Sequence, residues 1–168
     1  DIMIKSGEVI DLSSVDKPVC DKHSTGGVGD KITLIISPIV ASSGVAVPKM
    51  SGRGLGLTGG TVDKLESIPG YKLKVSKKEF IRLLNTVGCA VISQSEQIAV
   101  ADKKIYALRN EIGAVDSIPL IASSIMSKKI ASGSDTIVID LKVGKGAFIK
   151  NIKDATKLAK TMVHIGKY

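Results

Sequence analysis

Three glycine-rich segments, residues 24–29, 51–61 and 143–147, punctuate this 168-residue chain. Each follows a run that reads as a β-strand and precedes one that reads as a helix. Such repeated strand–loop–helix order predicts an α/β fold: a mostly parallel sheet flanked by helices, with its loops gathered at the carboxyl ends of the strands. Loops of this kind expose backbone N–H groups, and the helix N-termini behind them add partial positive charge. Both favour an anion, most often phosphate. One glycine-rich turn is ordinarily just a tight turn; three at equivalent strand ends point to a site.

The elements follow from periodicity. Residues 45–50 and 89–92 read as strands, and 136–141, Thr-Ile-Val-Ile-Asp-Leu, as the plainest buried strand. Asp30 fits a helix cap, with Ile32, Ile35, Ile36, Ile39 and Val40 following at helical spacing; Pro38 inside that pattern implies a kink, and Gly44 ends it. Ser76 with Glu79 makes a capping box for a helix whose inner face is Phe80, Leu83, Leu84 and Val87, closed by Gly88. Residues 62–68, 103–112 and 118–130 complete the predicted helices, with a last stripe from Ile152 to Val163. That stripe runs almost to Tyr168, and the chain begins at Asp1 without a Met, so the expectation is a piece of a longer polypeptide.

Composition narrows the function classes. Hydrophobic residues are 43% and charged residues 24%, which fits a globular domain and excludes disorder. No apolar run approaches the roughly 18 residues of a membrane span. Cys20 and Cys89 are too few for a disulfide framework or a zinc site, and suit a reducing, cytoplasmic setting. The net charge of +8 is spread along the chain, and aromatics are only 3%. A nucleic-acid surface built on stacking needs more of them, so the excess points rather to an anionic small molecule.

Familiar motifs fail. Gly54, Gly56 and Gly59 fit G-x-G-x-x-G formally, but no helix opens within the motif; the first loop lacks Walker spacing. Read in full, that first loop offers a cation at Lys22, an imidazole at His23 and a hydroxyl at Ser24 beside the glycines. His23 reads equally as a structural histidine. Arg109, Ser124 and Lys128 form a second group. Ser124 and Lys128 are four apart on one helix face, shared with Ile121 and Ile125. By spacing alone Lys128 either snorkels to water or points into a cleft. His164 reads as a surface residue.

These strings carry a resemblance. Residues 22–30 (KHSTGGVGD), 50–56 (MSGRGLG) and 59–67 (GGTVDKLES) are similar to the thymidine and pyrimidine-nucleoside phosphorylase family, and the likeness continues through 106–109 (YALR), 116–121 (DSIPLI) and 142–148 (KVGKGAF). It covers nearly the whole chain. Anthranilate phosphoribosyltransferase is a more distant relative by fold. Leu57 departs from the pattern, standing where many members carry His.

The resemblance implies phosphorolysis of a pyrimidine nucleoside (uridine, thymidine, deoxyuridine) to free base and a pentose 1-phosphate. On the family pattern Lys22, Ser24, Thr33, Lys49, Met50, Ser51 and Thr61 would surround phosphate. Arg109, Ser124 and Lys128 would hold the base, and His23 would sit near the glycosidic bond, with His23, Arg109 and Lys128 the expected catalytic residues. Lys49-Met50-Ser51 resembles the version found in broad pyrimidine-nucleoside phosphorylases; a strict thymidine phosphorylase is the alternative, and from another class the net charge leaves a basic nucleic-acid-binding module. No cofactor is needed. Some members bind potassium near Gly29 and the residue two further on, here Lys31, so a partial potassium site is the expectation. The resemblance also implies that residues 1–168 are part of a larger α/β domain, with a small helical domain and later strands outside it, in a cytoplasmic homodimer.

Overall fold

The computed structural model describes residues 1–54, 59–114 and 116–168. The described elements run α1 (Ile2–Lys5), β1 (Cys20–Ser24), α2 (Ile32–Ser42), β2 (Val47–Ser51), α3 (Thr61–Glu66), α4 (Lys77–Thr86), β3 (Cys89–Ser93), α5 (Val100–Glu111), α6 (Ile118–Ala131), β4 (Thr136–Asp140) and α7 (Ile152–Gly166). The alternation read from the sequence holds. None of the described helices is long and apolar enough to cross a membrane.

All strand pairing is parallel. β1 runs beside β4 with Cys20 opposite Thr136 and Ser24 opposite Asp140, and β2 beside β3 with Val47 opposite Cys89. One bridge, Val19 to Ala46, joins the two pairs into the order β4-β1-β2-β3. There Ala46 N–H donates to the Pro18 carbonyl and Cys20 N–H to the Ala46 carbonyl, both at 2.9 Å. The next rung on the β2 side falls to Pro48, which has no N–H to give. The ladder between β1 and β2 stops, and the two strands carry their carboxyl ends to the site unpaired with each other.

Two apolar clusters hold the layers. One packs Phe80 and Leu84 of α4 against Ala46, Ala90 and Ile92 of the sheet region; the other packs Ala122, Ile125 and Met126 of α6 against Leu158 and Met162 of α7. Leu84 and Leu158 are fully buried. Truncating either to Ala costs about 2–5 kcal/mol. Half of the expected capping box on α4 forms: Ser76 Oγ accepts from Glu79 N–H at 3.2 Å, but the Glu79 carboxylate turns to Arg82, and Val87, expected on the inner face, is exposed.

Four details differ from the sequence reading. α5 begins at Val100, a turn earlier than expected. Lys31, not Asp30, caps α2, because the Asp30 carboxylate turns back to accept the Ser24 hydroxyl. α2 continues through Pro38, but its isoleucine stripe faces outward: Ile35 and Ile39 are exposed, whereas Thr33 and Ser37 are buried. β4 is an edge strand rather than a buried one, with Val138 half exposed.

Candidate active site

The carboxyl ends of β1 and β2 open onto a cleft of about 230 Å³. His23, Ser24 and Gly26 come from the first loop, Met50, Ser51 and Thr61 from the second, and Phe148 from beyond the third; Tyr106 and Arg109 of α5 and Ser124 and Lys128 of α6 line it together. Backbone straps hold the loops. Thr25 N–H donates to the Asp140 carbonyl at 3.1 Å, Thr25 Oγ1 accepts from Lys142 N–H at 2.9 Å, and Val28 N–H donates to the Gly146 carbonyl at 2.9 Å. Gly27 lies against Gly146 and Ala147 with φ +155°, leaving no room for a Cβ. In the second loop the Asp63 carboxylate gathers Gly54 N–H (2.8 Å) and Gly60 N–H (2.5 Å), which holds it below the usual carboxylate range; Arg53 pairs with Asp63 and Glu66 outside. Gly54 and Gly60 pack backbone to backbone, so neither position admits a side chain.

Ser24 Oγ accepts from Gly26 N–H at 3.2 Å and donates to Asp30. Its hydrogen is thus already held by a carboxylate. Lys22 stands on the opposite side of β1 from His23, by ordinary strand alternation. It is absent from the cleft wall: its Nζ lies 2.5 Å from Asp140 Oδ2 and 3.1 Å from Thr33 Oγ1. Thr33 does line the cleft, so Lys22 reaches the site only through that hydroxyl.

At the floor of the cleft and beneath it is a buried charge cluster. Lys129 Nζ donates to Asp21 Oδ2 at 2.6 Å and to the Met50 carbonyl at 2.9 Å, linking α6 to both β1 and β2. Lys49 Nζ lies 3.9 Å from Asp21 Oδ1. Two ammoniums thus share one carboxylate, and burial followed by the Lys129 charge pulls the Lys49 pKa down to about 7. Above them, burial and then the Lys49, Lys129, Lys128 and Lys22 charges hold the His23 imidazole well below its ordinary range. His23 is a neutral ring at pH 7, and its Nδ1 has no partner among the described residues.

On the far wall Asp102, Ser124 and Lys128 form a closed set. Lys128 Nζ donates to Asp102 Oδ2 at 2.6 Å and to Ser124 Oγ at 2.8 Å, and Ser124 Oγ donates to Asp102 Oδ2 at 3.0 Å. The Tyr106 ring is packed by both cations, Arg109 Cζ at 5.4 Å and Lys128 Nζ at 5.3 Å from its centroid. Arg109 Nη1 also donates to the Leu120 carbonyl at 3.3 Å, which fixes the guanidinium against α6.

The structure brings together His23, Ser24, Thr33, Met50, Ser51, Thr61, Arg109, Ser124 and Lys128 in one cleft. It leaves Lys22 and Lys49, both expected at phosphate, behind the wall, Lys22 paired with the half-buried Asp140 and Lys49 beside the buried Asp21. Sequence reasoning missed Asp21, Lys129, Asp30, Asp102 and Tyr106. Asp102, Tyr106 and Arg109 carried a usable signal, since they recur at helical spacing on one face. Asp21 and Lys129 are 108 residues apart and carried none. Leu57 lies outside the described residues. Gly29 and Lys31 offer a cation only backbone carbonyls, and that of Lys31 accepts from Leu34 N–H at 3.1 Å. Carbonyls are ordinary potassium ligands, so these two residues could supply at most part of such a site; among the described residues no group of three or more His, Cys, Asp or Glu could hold a metal.

The strands are parallel, glycine-rich loops sit at their carboxyl ends, and Arg109 and Lys128 line the same cleft, the arrangement of an α/β domain with one loop-built site. The chain belongs to the family described as "Glycosyl transferase family, a/b domain", which it matches over residues 16–168. It is 60% identical over 164 residues to the pyrimidine-nucleoside phosphorylases of Staphylococcus haemolyticus and Bacillus subtilis, and 57% identical to that of Staphylococcus aureus. Each alignment covers 98% of this chain and 38% of the relative, so the chain spans less than half their length. In fold it is similar to anthranilate phosphoribosyltransferase from Thermus thermophilus, with a TM-score of 0.68 at 18% identity, over 98% of this chain and 46% of that one.

Proposed function

We propose that the protein catalyses phosphorolysis of pyrimidine nucleosides, and that residues 1–168 are the part of its α/β domain that supplies the phosphate loops and the base-reading wall. The observation that carries this is the facing arrangement of hydroxyl- and glycine-rich loops against Arg109 and Lys128 across one cleft. The names of the 60%-identical relatives support it. Phosphate would lie at Ser24, Ser51 and Thr61, displacing Asp30 from the Ser24 hydroxyl, with Thr33 and, behind it, Lys22 completing the pocket. The C1′–N1 bond breaks, its electron pair leaves with the base, and a phosphate oxygen bonds C1′. The proton of the phosphate ends on the base, which balances the reaction without a cofactor. Positive charge developing on the sugar is met by phosphate, and negative charge on the base by Arg109 and Lys128. Neutral His23 would stand at the glycosidic bond as a hydrogen-bonding group and not as a cation, which suits a carbon that becomes electron-poor.

In this reading the complete protein acts on inorganic phosphate and a pyrimidine nucleoside as a cytoplasmic homodimer. The broad substrate range is supported by the relatives' names, not by Lys49, which does not reach the cleft. The test is uracil release from uridine, and thymine release from thymidine, by the complete protein with and without phosphate. Release that requires phosphate is expected; hydrolysis without it, or no release at all, overturns the reading, and thymidine cleavage alone narrows it to a strict thymidine phosphorylase.

A further inference from the structure

One buried carboxylate on the base side has no part in the reaction just described. Asp102 is 4% exposed, and its Oδ2 takes hydrogens from both Lys128 and Ser124. Lys128 also donates to the Ser124 oxygen. In this ion pair the ammonium has only donors and the carboxylate only acceptors. The Ser124 hydroxyl is therefore left one arrangement. Its hydrogen goes to Asp102, one lone pair takes a Lys128 hydrogen, and what remains is a single acceptor on a residue that lines the cleft. The neighbouring groups, Lys128 and Arg109, can only donate.

Arg109 is anchored on the Leu120 carbonyl, one turn of α6 before Ser124, and Lys128 lies one turn after it, so the fixed acceptor stands between two donors, an order complementary to a ring edge of carbonyl, N–H, carbonyl. An aminopyrimidine presents a bare ring nitrogen in the middle, which would set lone pair against lone pair at Ser124, and an amino group that would face a donor. Resting on the phosphorylase reading above, we propose that Asp102 determines base specificity. It is a positioning residue that acts through Ser124, locking the hydroxyl as an acceptor so that the cleft takes uracil- and thymine-type bases and rejects cytosine-type ones. A free serine could rotate and offer either a donor or an acceptor; Asp102 removes that choice.

The test compares kcat/KM for uridine and cytidine in the complete protein and in its Asp102→Asn and Ser124→Ala variants. A site built to hydrogen-bond a substrate N–H rejects the analogue lacking it by about 10⁴-fold or more, so the wild type should show a wide ratio. Asp102→Asn offers Ser124 an amide that can donate as well as accept. It should raise the nucleoside KM, leave the phosphate KM within about twofold, and narrow the uridine-to-cytidine ratio at least about tenfold, the scale of one misplaced hydrogen bond. If Asp102→Asn does not fold, Ser124→Ala decides the matter, because it retains the Asp102–Lys128 pair. It should lower uridine activity without lowering cytidine activity, narrowing the ratio similarly. In the double variant the Asp102 change should add nothing further to selectivity. A ratio unchanged in both single variants, or phosphate and nucleoside KM rising together, overturns the role of Asp102 and leaves the phosphorylase reading standing. A wild type that cleaves neither nucleoside overturns the phosphorylase reading and takes this proposal with it.

Discussion

At the scale of single residues, charge placement governs what the cleft can do. Lys22→Ala removes the ammonium that donates to Thr33 and pairs with Asp140. Because Lys22 acts through Thr33, phosphate affinity should fall only about threefold in that variant, less than the roughly tenfold that losing a direct charge-assisted bond would cost, and Ser24→Ala should weaken it as well; a phosphate titration by calorimetry measures both. Unchanged affinity in both would remove phosphate from the first loop. The pH dependence has a definite sign. His23 titrates lower in the folded chain than its unfolded value of about 6.5. As pH falls through 6.5 the unfolded chain gains a proton that the folded chain refuses, so stability declines there. His23→Gln should flatten that part of the curve in denaturant melts. Lys49, at about 7 folded against 10.5 unfolded, acts in another window: stability rises with pH between those values. Lys49→Met removes one of two cations crowded on Asp21 and should raise Tm at pH 7, a scan that a lowered Tm would contradict.

Among the elements, α2 shows what periodicity reveals and what it hides. Its helical spacing was legible, and so was its place after the first loop. The direction of its apolar face was not, because the stripe of Ile32, Ile35, Ile36 and Ile39 would ordinarily face a core. Here Thr33 and Ser37 face inward, drawn by Lys22 and by the Thr33 carbonyl, to which Ser37 Oγ donates at 2.7 Å. The same limit applies to β4: its β-branched run predicted a strand correctly, but burial depends on neighbours that pattern does not encode. The candidate site divides likewise. Loop residues were legible because glycine and hydroxyl types are demanded locally, as were Ser124 and Lys128, four apart. Asp21–Lys129 and Asp102–Lys128 were not, since each pair meets only when distant elements pack. The outward isoleucines also set a prediction for the 168-residue chain expressed alone: it should self-associate in sedimentation velocity, and Ile35→Lys with Ile39→Lys should return it toward monomer. Association untouched by these changes would place the sticky surface elsewhere, with the edge of β4 next in line.

For the whole molecule, binding and turnover should separate. The loops proposed to hold phosphate and the wall of Arg109 and Lys128 lie within this chain, so phosphate should bind it measurably. The relatives are more than twice as long, and site closure, which excludes water and aligns reactants, can contribute about 7–11 kcal/mol to lowering a barrier. Phosphorolysis by residues 1–168 alone should fall far below that of the complete protein in side-by-side assays; equal turnover numbers would mean the rest is dispensable for chemistry. The missing rung at Pro48 has its own bearing on this. Because the backbones of β1 and β2 pair, among the described residues, only at Val19 and Ala46, their far ends are two prongs of a fork bridged by the Lys129 ammonium. An anion gripping Ser24 on one prong and Ser51 on the other would clamp the fork shut. The sheet would then serve as the transducer of occupancy: deuterium uptake at the amides of residues 22–24 and 49–51 should slow on adding phosphate, while uptake near Val19 and Ala46 stays as it was.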